Sequence, residues 1–130
     1  MGVAHVIVRD ARVAEFVGGE IGVIFSPPLS CIGIEKDGEI IGGAVFNNYE
    51  GKDIHLSAAG RGWTRGFLAE VGHYVYTVLD CQRMTVITAH PGVVRLAERL
   101  GGQIEGCLRR HFQDGQDAFI VGILKHEYKW

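Results

Sequence analysis

The chain has 130 residues, 47% of them hydrophobic and 22% charged, with 13 Lys and Arg against 15 Asp and Glu for a formal charge of -2. This composition excludes a collagen-like repeat, a coiled coil and a disordered tail, and the length suits one domain over residues 1–130 that folds without disulfides or a structural metal. The near balance of charge argues against a dedicated nucleic-acid binder, which needs an excess of Lys and Arg to neutralise phosphates.

Cys31, Cys81 and Cys107 are odd in number, widely spaced and free of any C-x-x-C pair, so neither a disulfide framework nor a zinc site is expected. Such free thiols suit a reducing cytoplasm. Residues 1–10 lack the basic start and long apolar run of a signal peptide, and Gly2 resembles a myristoylation start only superficially, because Val6 stands where Ser or Thr is required. No apolar stretch approaches the length that spans a bilayer. His5, His73, His111 and His126 are scattered, with no ligand spacing beside a carboxylate, so no metal is expected.

Residues 5–8 form a β-branched run that predicts a strand, and Val13, Phe16 and Val17 give residues 11–17 a helical spacing that Gly18 and Gly19 should end. Residues 26–30, Ser-Pro-Pro-Leu-Ser, read as a rigid surface linker, since consecutive prolines lack donors and favour extended backbone. Residues 31–35 and 39–46 are two strands joined at Lys36-Asp37-Gly38, an Asp-Gly hairpin signal. After a polar turn over 47–52, residues 53–59 alternate, with Ile54, Leu56 and Ala58 on one face and His55 and Ser57 on the other. From 65 to 79, Phe67, Leu68, Val71, Val75, Val78 and Leu79 mark an amphipathic helix ended by Asp80.

Residues 83–88 are a buried, β-branched strand in the order of a crossover. Pro91 opens another helix, whose apolar face is Val93, Val94, Leu96, Ala97 and Leu100 and whose stop is Gly101-Gly102. Two last strands, 104–111 and 118–125, flank the turn Gln113-Asp114-Gly115-Gln116. The order predicts an α/β sandwich of the α+β kind: a mixed, mostly antiparallel sheet flanked by helices, not a doubly wound one. The apolar Ala118-Phe119-Ile120-Val121 can pair within the sheet or across a homodimer.

The segment Arg61-Gly62-Trp63-Thr64-Arg65-Gly66 lies between a predicted strand and a predicted helix. A helix N-terminus presents unpaired N–H groups and the positive end of a dipole, and glycines let a pyrophosphate approach the main chain. Arg61 and Arg65 add charge-assisted donors. On pattern alone the simpler reading is that Thr64 N-caps the helix and both arginines are solvated.

This order of elements, with this loop, resembles the GNAT N-acyltransferase superfamily, whose acyl-CoA pyrophosphate loop reads Arg/Gln-x-x-Gly-x-Gly/Ala. Arg61 matches the first position and Gly66 the last, with Thr64 in place of the middle glycine. A second anchor resembles the family's terminal-helix signature, in which Leu-Gly-Phe ends a helix and leads into a strand with Glu-Gly and a following arginine. Here Leu100-Gly101-Gly102 precedes Glu105-Gly106 and Arg109, with Gly102 in place of the phenylalanine. The resemblance covers most of the chain and is closest in look to small acetyltransferase-like proteins of phages and prophages.

The resemblance implies that two neighbouring parallel strands, 53–59 and 83–88, splay apart. The pantetheine arm of acetyl-CoA then inserts between them and pairs with open backbone, at Ser57, Ala58 and Ala59 on the first strand. Arg61, Gly62, Trp63, Thr64, Arg65 and Gly66 would hold the pyrophosphate, with Trp63 either stacked on the adenine or covering the core. The implied chemistry is direct attack of an acceptor amine on the thioester, which needs a proton acceptor, donors for the oxyanion and an acid for the departing thiolate. No covalent enzyme intermediate is needed, so the cysteines are bystanders.

Many relatives carry an Asn at the start of the last helix and an acidic-proton donor Tyr seven residues on; His90 and Ala97 stand at those positions here. Tyr74, Tyr76 and Tyr128 are the substitutes to consider. For the base, the family's favoured positions point to His55, whose imidazole suits proton transfer near neutrality, with Glu50 and Glu39 as rivals. His90 can N-cap its helix through Nδ1, contact pantetheine or serve as the acid.

Arg109-Arg110-His111 with Arg95 and Arg99 offers either a basic face for an anionic acceptor or a solvated surface paired with Glu98 and Glu105. Two functions follow from the resemblance. The first is an acyl-CoA-dependent N-acyltransferase that uses acetyl-CoA and an unidentified amine acceptor, small molecule or protein. The second is a catalytically inactive protein of the same fold that binds CoA or a protein partner, as a phage accessory does. Neither involves a membrane.

Overall fold

Residues 5–130 are described by a computed structural model; Gly2, with its myristoylation reading, lies outside them. The elements are β1 (Val6–Val8), α1 (Ala11–Ile21), β2 (Ser30–Lys36), β3 (Glu39–Asn47), β4 (Asp53–Gly60), α2 (Arg65–Gly72), β5 (Arg83–Thr88), α3 (Pro91–Arg99), β6 (Gln103–Leu108) and β7 (Ala118–Leu124). After Gly72, α2 continues as a π-helical segment over His73–Val78. Asp37 and Gly38 both take positive φ, 54° and 78°, which is what a two-residue hairpin between β2 and β3 demands.

One seven-stranded sheet in the order β1-β2-β3-β4-β5-β7-β6 carries the whole fold. Only β4 and β5 run parallel; every other neighbouring pair is antiparallel. The strict alternation of β4 divides the interior. Ile54, Leu56 and Ala58 join the larger core with Phe46, Phe67, Val75, Met84 and Val121 under α2 and α3. Ala59 joins Val13, Val17, Cys31 and Val45 under α1. Burial pushes the thiols of Cys31 and Cys81 upward, which keeps them protonated and inert.

Helix α1 settles deeply because the strands beneath it have no side chains there. Gly33 and Gly43 are directly opposite in the β2–β3 register, and a Cβ on either would lie 2.5 or 2.6 Å from a Val13 methyl. Val13 and Val17 are thereby fully buried.

Three expectations need correction. Gly18 and Gly19 do not end α1; the helix runs to Ile21 and closes at Gly22 in the left-handed region (φ 73°), with Gly22 N and Val23 N both bonded to Gly18 O. The stop therefore belongs to the glycine that can adopt the αL cap, while Gly18 is packed inside the helix. The strand expected over 104–111 ends at Leu108, because Arg110 turns into positive φ (52°) and its N–H is taken by the Asp117 carboxylate at 2.8 Å. Finally, residues 118–121 cannot pair across a dimer, since β7 is bonded to β5 on one side and β6 on the other.

Two glycine substitutions should shift stability in opposite directions. Gly43→Ala pushes a methyl into Val13 and is expected to cost about 1–3 kcal/mol. Gly19→Ala, inside the helix with nothing within 4 Å, is expected to add roughly 0.5–1 kcal/mol. Urea midpoints of the two variants check both signs.

Candidate active site

The β4–β5 ladder runs from Asp53↔Arg83 to Leu56↔Val86 and stops. Beyond that point β4 follows β3, from Ser57↔Val45 to Gly60↔Gly42, and β5 follows β7, through Ile87↔Ile120 and Thr88↔Phe119. The facing backbone edges of residues 57–60 and 87–88 are left without a strand partner. Close backbone approach holds the end of β4 against β3. A Cβ at Gly60 would sit 2.2 Å from Ile41 O, and one at Gly42 would sit 2.1 Å from Arg61 O. Arg61 N–H donates to Ile41 O at 2.9 Å. Gly60 also takes φ 92°, a conformation that favours glycine.

The wedge opens into a cleft of about 950 Å³. Its floor is residues 57–58 of β4 and 87–91, from the end of β5 into α3; its walls are residues 20–24, from the last turn of α1 into the segment after it, and residues 111–114 and 116 of the β6–β7 loop. That loop is self-braced: Phe112 N–H reaches Gln116 O, Gly115 N–H reaches Phe112 O, and Gln116 N–H reaches Asp114 Oδ1 at 3.0 Å.

The loop after β4 turns at Gly62 (φ 95°) and enters α2 through Thr64, whose Oγ1 accepts from Phe67 N–H at 3.1 Å. Leu68 N–H goes to Thr64 O, so the N–H groups of Arg65 and Gly66 are the orphan donors of the first turn. A Cβ at Gly66 would meet nothing within 4 Å, leaving open approach to those donors. Thr64 thus replaces the expected glycine as a helix cap. Trp63 packs on Phe67 with ring centroids 5.3 Å apart and on the larger core, while staying half-exposed.

One neighbour of this loop had no signal in the sequence. The last residues fold back over α2: Tyr128 OH donates to Leu68 O, and Gly72 has no side chain where the Tyr128 ring lies. Trp130 is thereby brought beneath the Arg65 guanidinium, 5.4 Å from its ring centroid. Only long-range packing makes this pair.

The catalytic candidates are dispersed. His90 lines the cleft and caps α3, with Nδ1 accepting from Gly92 N–H at 2.9 Å; a neutral imidazole so engaged carries its proton on Nε2. His55 shares the face of Ser57 but stands one strand repeat, about 7 Å, nearer the closed end of the wedge. It joins a polar chain across the strands. Asn48 Nδ2 is 3.2 Å from His55 Nδ1, and His55 Nε2 is 3.9 Å from Asp53 Oδ2. Thr85 OH donates to Asp53 Oδ1 at 2.8 Å, and Arg83 bonds both Thr85 Oγ1 and Glu105. Gly122 leaves the room that the Arg83–Glu105 pair occupies.

Glu50 lies elsewhere, in the exposed β3–β4 turn beyond the opposite end of β4, and Glu39 sits exposed at the hairpin. Neither reaches the cleft lining. The tyrosines are also displaced from it. Tyr76 OH donates to Ile123 O at 2.7 Å and Tyr128 OH to Leu68 O, and burial pushes both phenols far up; Tyr74 bonds Ser30 and stacks edge-on against Phe46. Ala97 is buried in the larger core. Gly102 stands where a phenylalanine was expected because a Cβ there is already 2.8 Å from Val121 and Ile123.

The basic face is not ion-paired as expected either. Glu105 pairs with Arg83, and His111 leaves the arginines to line the cleft. Among the described residues no group of His, Cys, Asp and Glu is placed to hold a metal ion, and no helix is long and apolar enough to cross a membrane.

No protein-family model matches this sequence, and no curated protein matches it. Solved structures do. Mutant forms of the spermidine/spermine N-acetyltransferase SpeG from Vibrio cholerae superpose with a TM-score of 0.72 at 17% identity, covering 96% of this chain and 97% of that one. Another SpeG mutant structure from Vibrio cholerae gives 0.65 at 22% identity over 81% of this chain and 69% of that one. A structure described as a probable acetyltransferase gives 0.64 at 18% identity over 77% and 63%. The chain has the GNAT fold, the fold of these N-acetyltransferases.

Two substitutions separate the frame of this site from its cap. In Gly42→Ala the methyl meets a backbone oxygen, which has no rotamer to escape through, and a loss of more than about 2 kcal/mol is expected. Thr64→Ala removes one capping bond and should cost about 1 kcal/mol. Thermal melting of both variants should reproduce this order.

Proposed function

We propose that this chain, as a single domain, is an acyl-CoA-dependent N-acyltransferase that passes an acyl group, in the simplest case acetyl, directly to an amine. The observation that carries the reading is the wedge: two parallel strands whose facing edges are unpaired from Ser57 and Ile87 onward, beside a helix N-terminus with free donors. An extended pantetheine arm carries amides at a spacing that suits such edges. Ser57, Ala58 and Ala59 would bond it. Arg61, Arg65 and the N–H groups of Arg65 and Gly66 would hold the pyrophosphate, with Gly62 forming the turn, Thr64 the cap and Trp63 the wall. The similar structures, named as spermidine or spermine N-acetyltransferases, support an amine acceptor.

In this reading the amine nitrogen bonds to the thioester carbon, the carbon–sulfur bond breaks, and the amine proton passes to His55, directly or through water. Asp53, fixed by Thr85 and Arg83, faces Nε2 of His55 at 3.9 Å. His90 Nε2–H donates a hydrogen bond to the developing oxyanion, and in the absence of the tyrosine the departing thiolate takes back, through water, the proton held on His55. Glu50 is left as a solvated turn residue. The protein would work in a reducing cytoplasm, and a homodimer formed by strand pairing would use the open edges of β1 or β6.

Ala97, and a cleft without a tyrosine, favour the second reading, a protein of this fold that binds CoA without turnover. Calorimetry with acetyl-CoA, together with an acyl-transfer assay, decides between them. Arg61→Ala with Arg65→Ala should weaken acetyl-CoA binding at least about tenfold. His55→Ala should keep that affinity and lower turnover by about 100-fold or more. Full transfer by His55→Ala would remove the base assignment; binding without any transfer in the unaltered protein would establish the second reading.

A further inference from the structure

We propose that Trp130 is a positioning residue: its indole face holds the Arg65 guanidinium where the pyrophosphate of the acyl donor would meet it. This rests on the acyl-transfer reading and adds to it a residue that acts on the cofactor only through Arg65. The loop over 61–66 brings two exposed arginines to the start of α2, and the structure treats them differently. The Arg65 guanidinium lies over the Trp130 ring, 5.4 Å from its centroid, whereas among the described residues no ring faces Arg61 in this way. Neither arginine has a carboxylate within ion-pair distance among those residues. The indole is therefore the contact that restrains Arg65.

The segment that carries Trp130 is fixed without any help from Arg65. Glu127 Oε1 accepts from Leu124 N–H at 3.2 Å, Tyr128 N–H donates to Leu124 O at 3.1 Å, and Lys129 N–H donates to Leu100 O, just past α3, at 3.1 Å. The Tyr128 ring lies 5.3 Å from that of Tyr76, and its hydroxyl bonds Leu68 O on α2. Two glycines make the room. A Cβ at Gly72 would lie 2.3 Å from the Tyr128 ring, and one at Gly101 would lie 2.0 Å from Glu127 O. An irregular segment is thus tied to both helices, and those ties deliver residue 130 to the first turn of α2.

The form of the contact matters for an anion. A guanidinium stacked on a ring engages through its face, which leaves its N–H donors at the edge for a phosphate. A carboxylate partner would instead occupy those same donors and have to be displaced. An exposed arginine that is already restrained also loses less rotamer freedom when a ligand binds. Arg65 is in this way the preorganised one of the two arginines, beside the N–H groups of Arg65 and Gly66, and Arg61 is the mobile one.

The test is a double-mutant cycle read by calorimetric titration of the full chain with CoA, so that it does not depend on turnover. Trp130 is 40% exposed and Tyr128 keeps its segment docked, so Trp130→Leu leaves the fold in place while removing the aromatic face. That variant should bind CoA about two- to fivefold more weakly, and Trp130→Phe, which keeps a ring, should lie between it and the unaltered chain. Added to Arg61→Ala, Trp130→Leu should weaken binding by the same factor again; added to Arg65→Ala, it should have no further effect. A merely structural role, or direct contact of the indole with the nucleotide, predicts the same loss in both backgrounds, and that result would overturn the proposal. CoA binding that is indifferent to Trp130→Leu defeats the positioning role alone; an unaltered chain that binds no CoA defeats the acyl-transfer reading and this proposal with it.

Discussion

The β4–β5 ladder ends at Leu56↔Val86, and most of what the molecule offers chemically depends on that early end. Parallel strands in the middle of a sheet ordinarily remain paired, because an unpaired backbone N–H or C=O out of reach of water costs about as much as a lost hydrogen bond. Here each strand is held more firmly by its outer neighbour than by its inner one. Glycines at 42 and 60 let β4 lie against β3 at a distance no side chain permits, and β5 keeps full register with β7 up to Thr88. The resulting wedge leaves main-chain donors and acceptors facing open space at the centre of the sheet, where an extended ligand can bond to them.

Everything around the wedge extends that geometry. The loop leaving β4 is bound to Ile41 at its first residue, so the first turn of α2 is delivered beside the wedge with two donors uncommitted. The C-terminal segment, pinned through Tyr128 on α2, adds Trp130 beneath Arg65. A cation–π contact of this exposed kind contributes about 0.5–1 kcal/mol, enough to hold a guanidinium near the loop. On the other side, the glycine floor under Val13 seats α1 so that its last turn forms one wall of the cleft.

Much of the fold was legible because it is written in local patterns. The alternation of residues 53–59, the Asp37-Gly38 turn and the 3.6-residue spacing of 65–79 each report which face is buried, and burial decides those elements. The loop over 61–66 was legible for the same reason as a strand-to-helix connection capped by Thr64. The helix stop was misplaced because Gly18, Gly19 and Gly22 are equivalent as letters, and only packing shows which adopts the αL cap. The site was less legible than the fold. The family resemblance pointed to His90 and Ser57, which line the cleft, but Glu20, Asp114 and His111 enter it through tertiary contacts that no spacing reports. Glu50 was misjudged for a geometric reason: proximity in sequence to β4 says nothing about which end of the strand opens.

The central claim is that the open edges of β4 and β5 receive an extended amide-bearing arm, and backbone NMR tests it most directly. Amide shifts would be followed while the protein is titrated with CoA, and separately with adenosine 3′,5′-bisphosphate, which lacks the arm. The account predicts that both ligands perturb the amides of Arg65 and Gly66, and that only CoA perturbs those of Ser57, Ala58, Ala59 and Thr88. Equal perturbation patterns from the two ligands, with residues 57–59 and 88 unmoved, would contradict it.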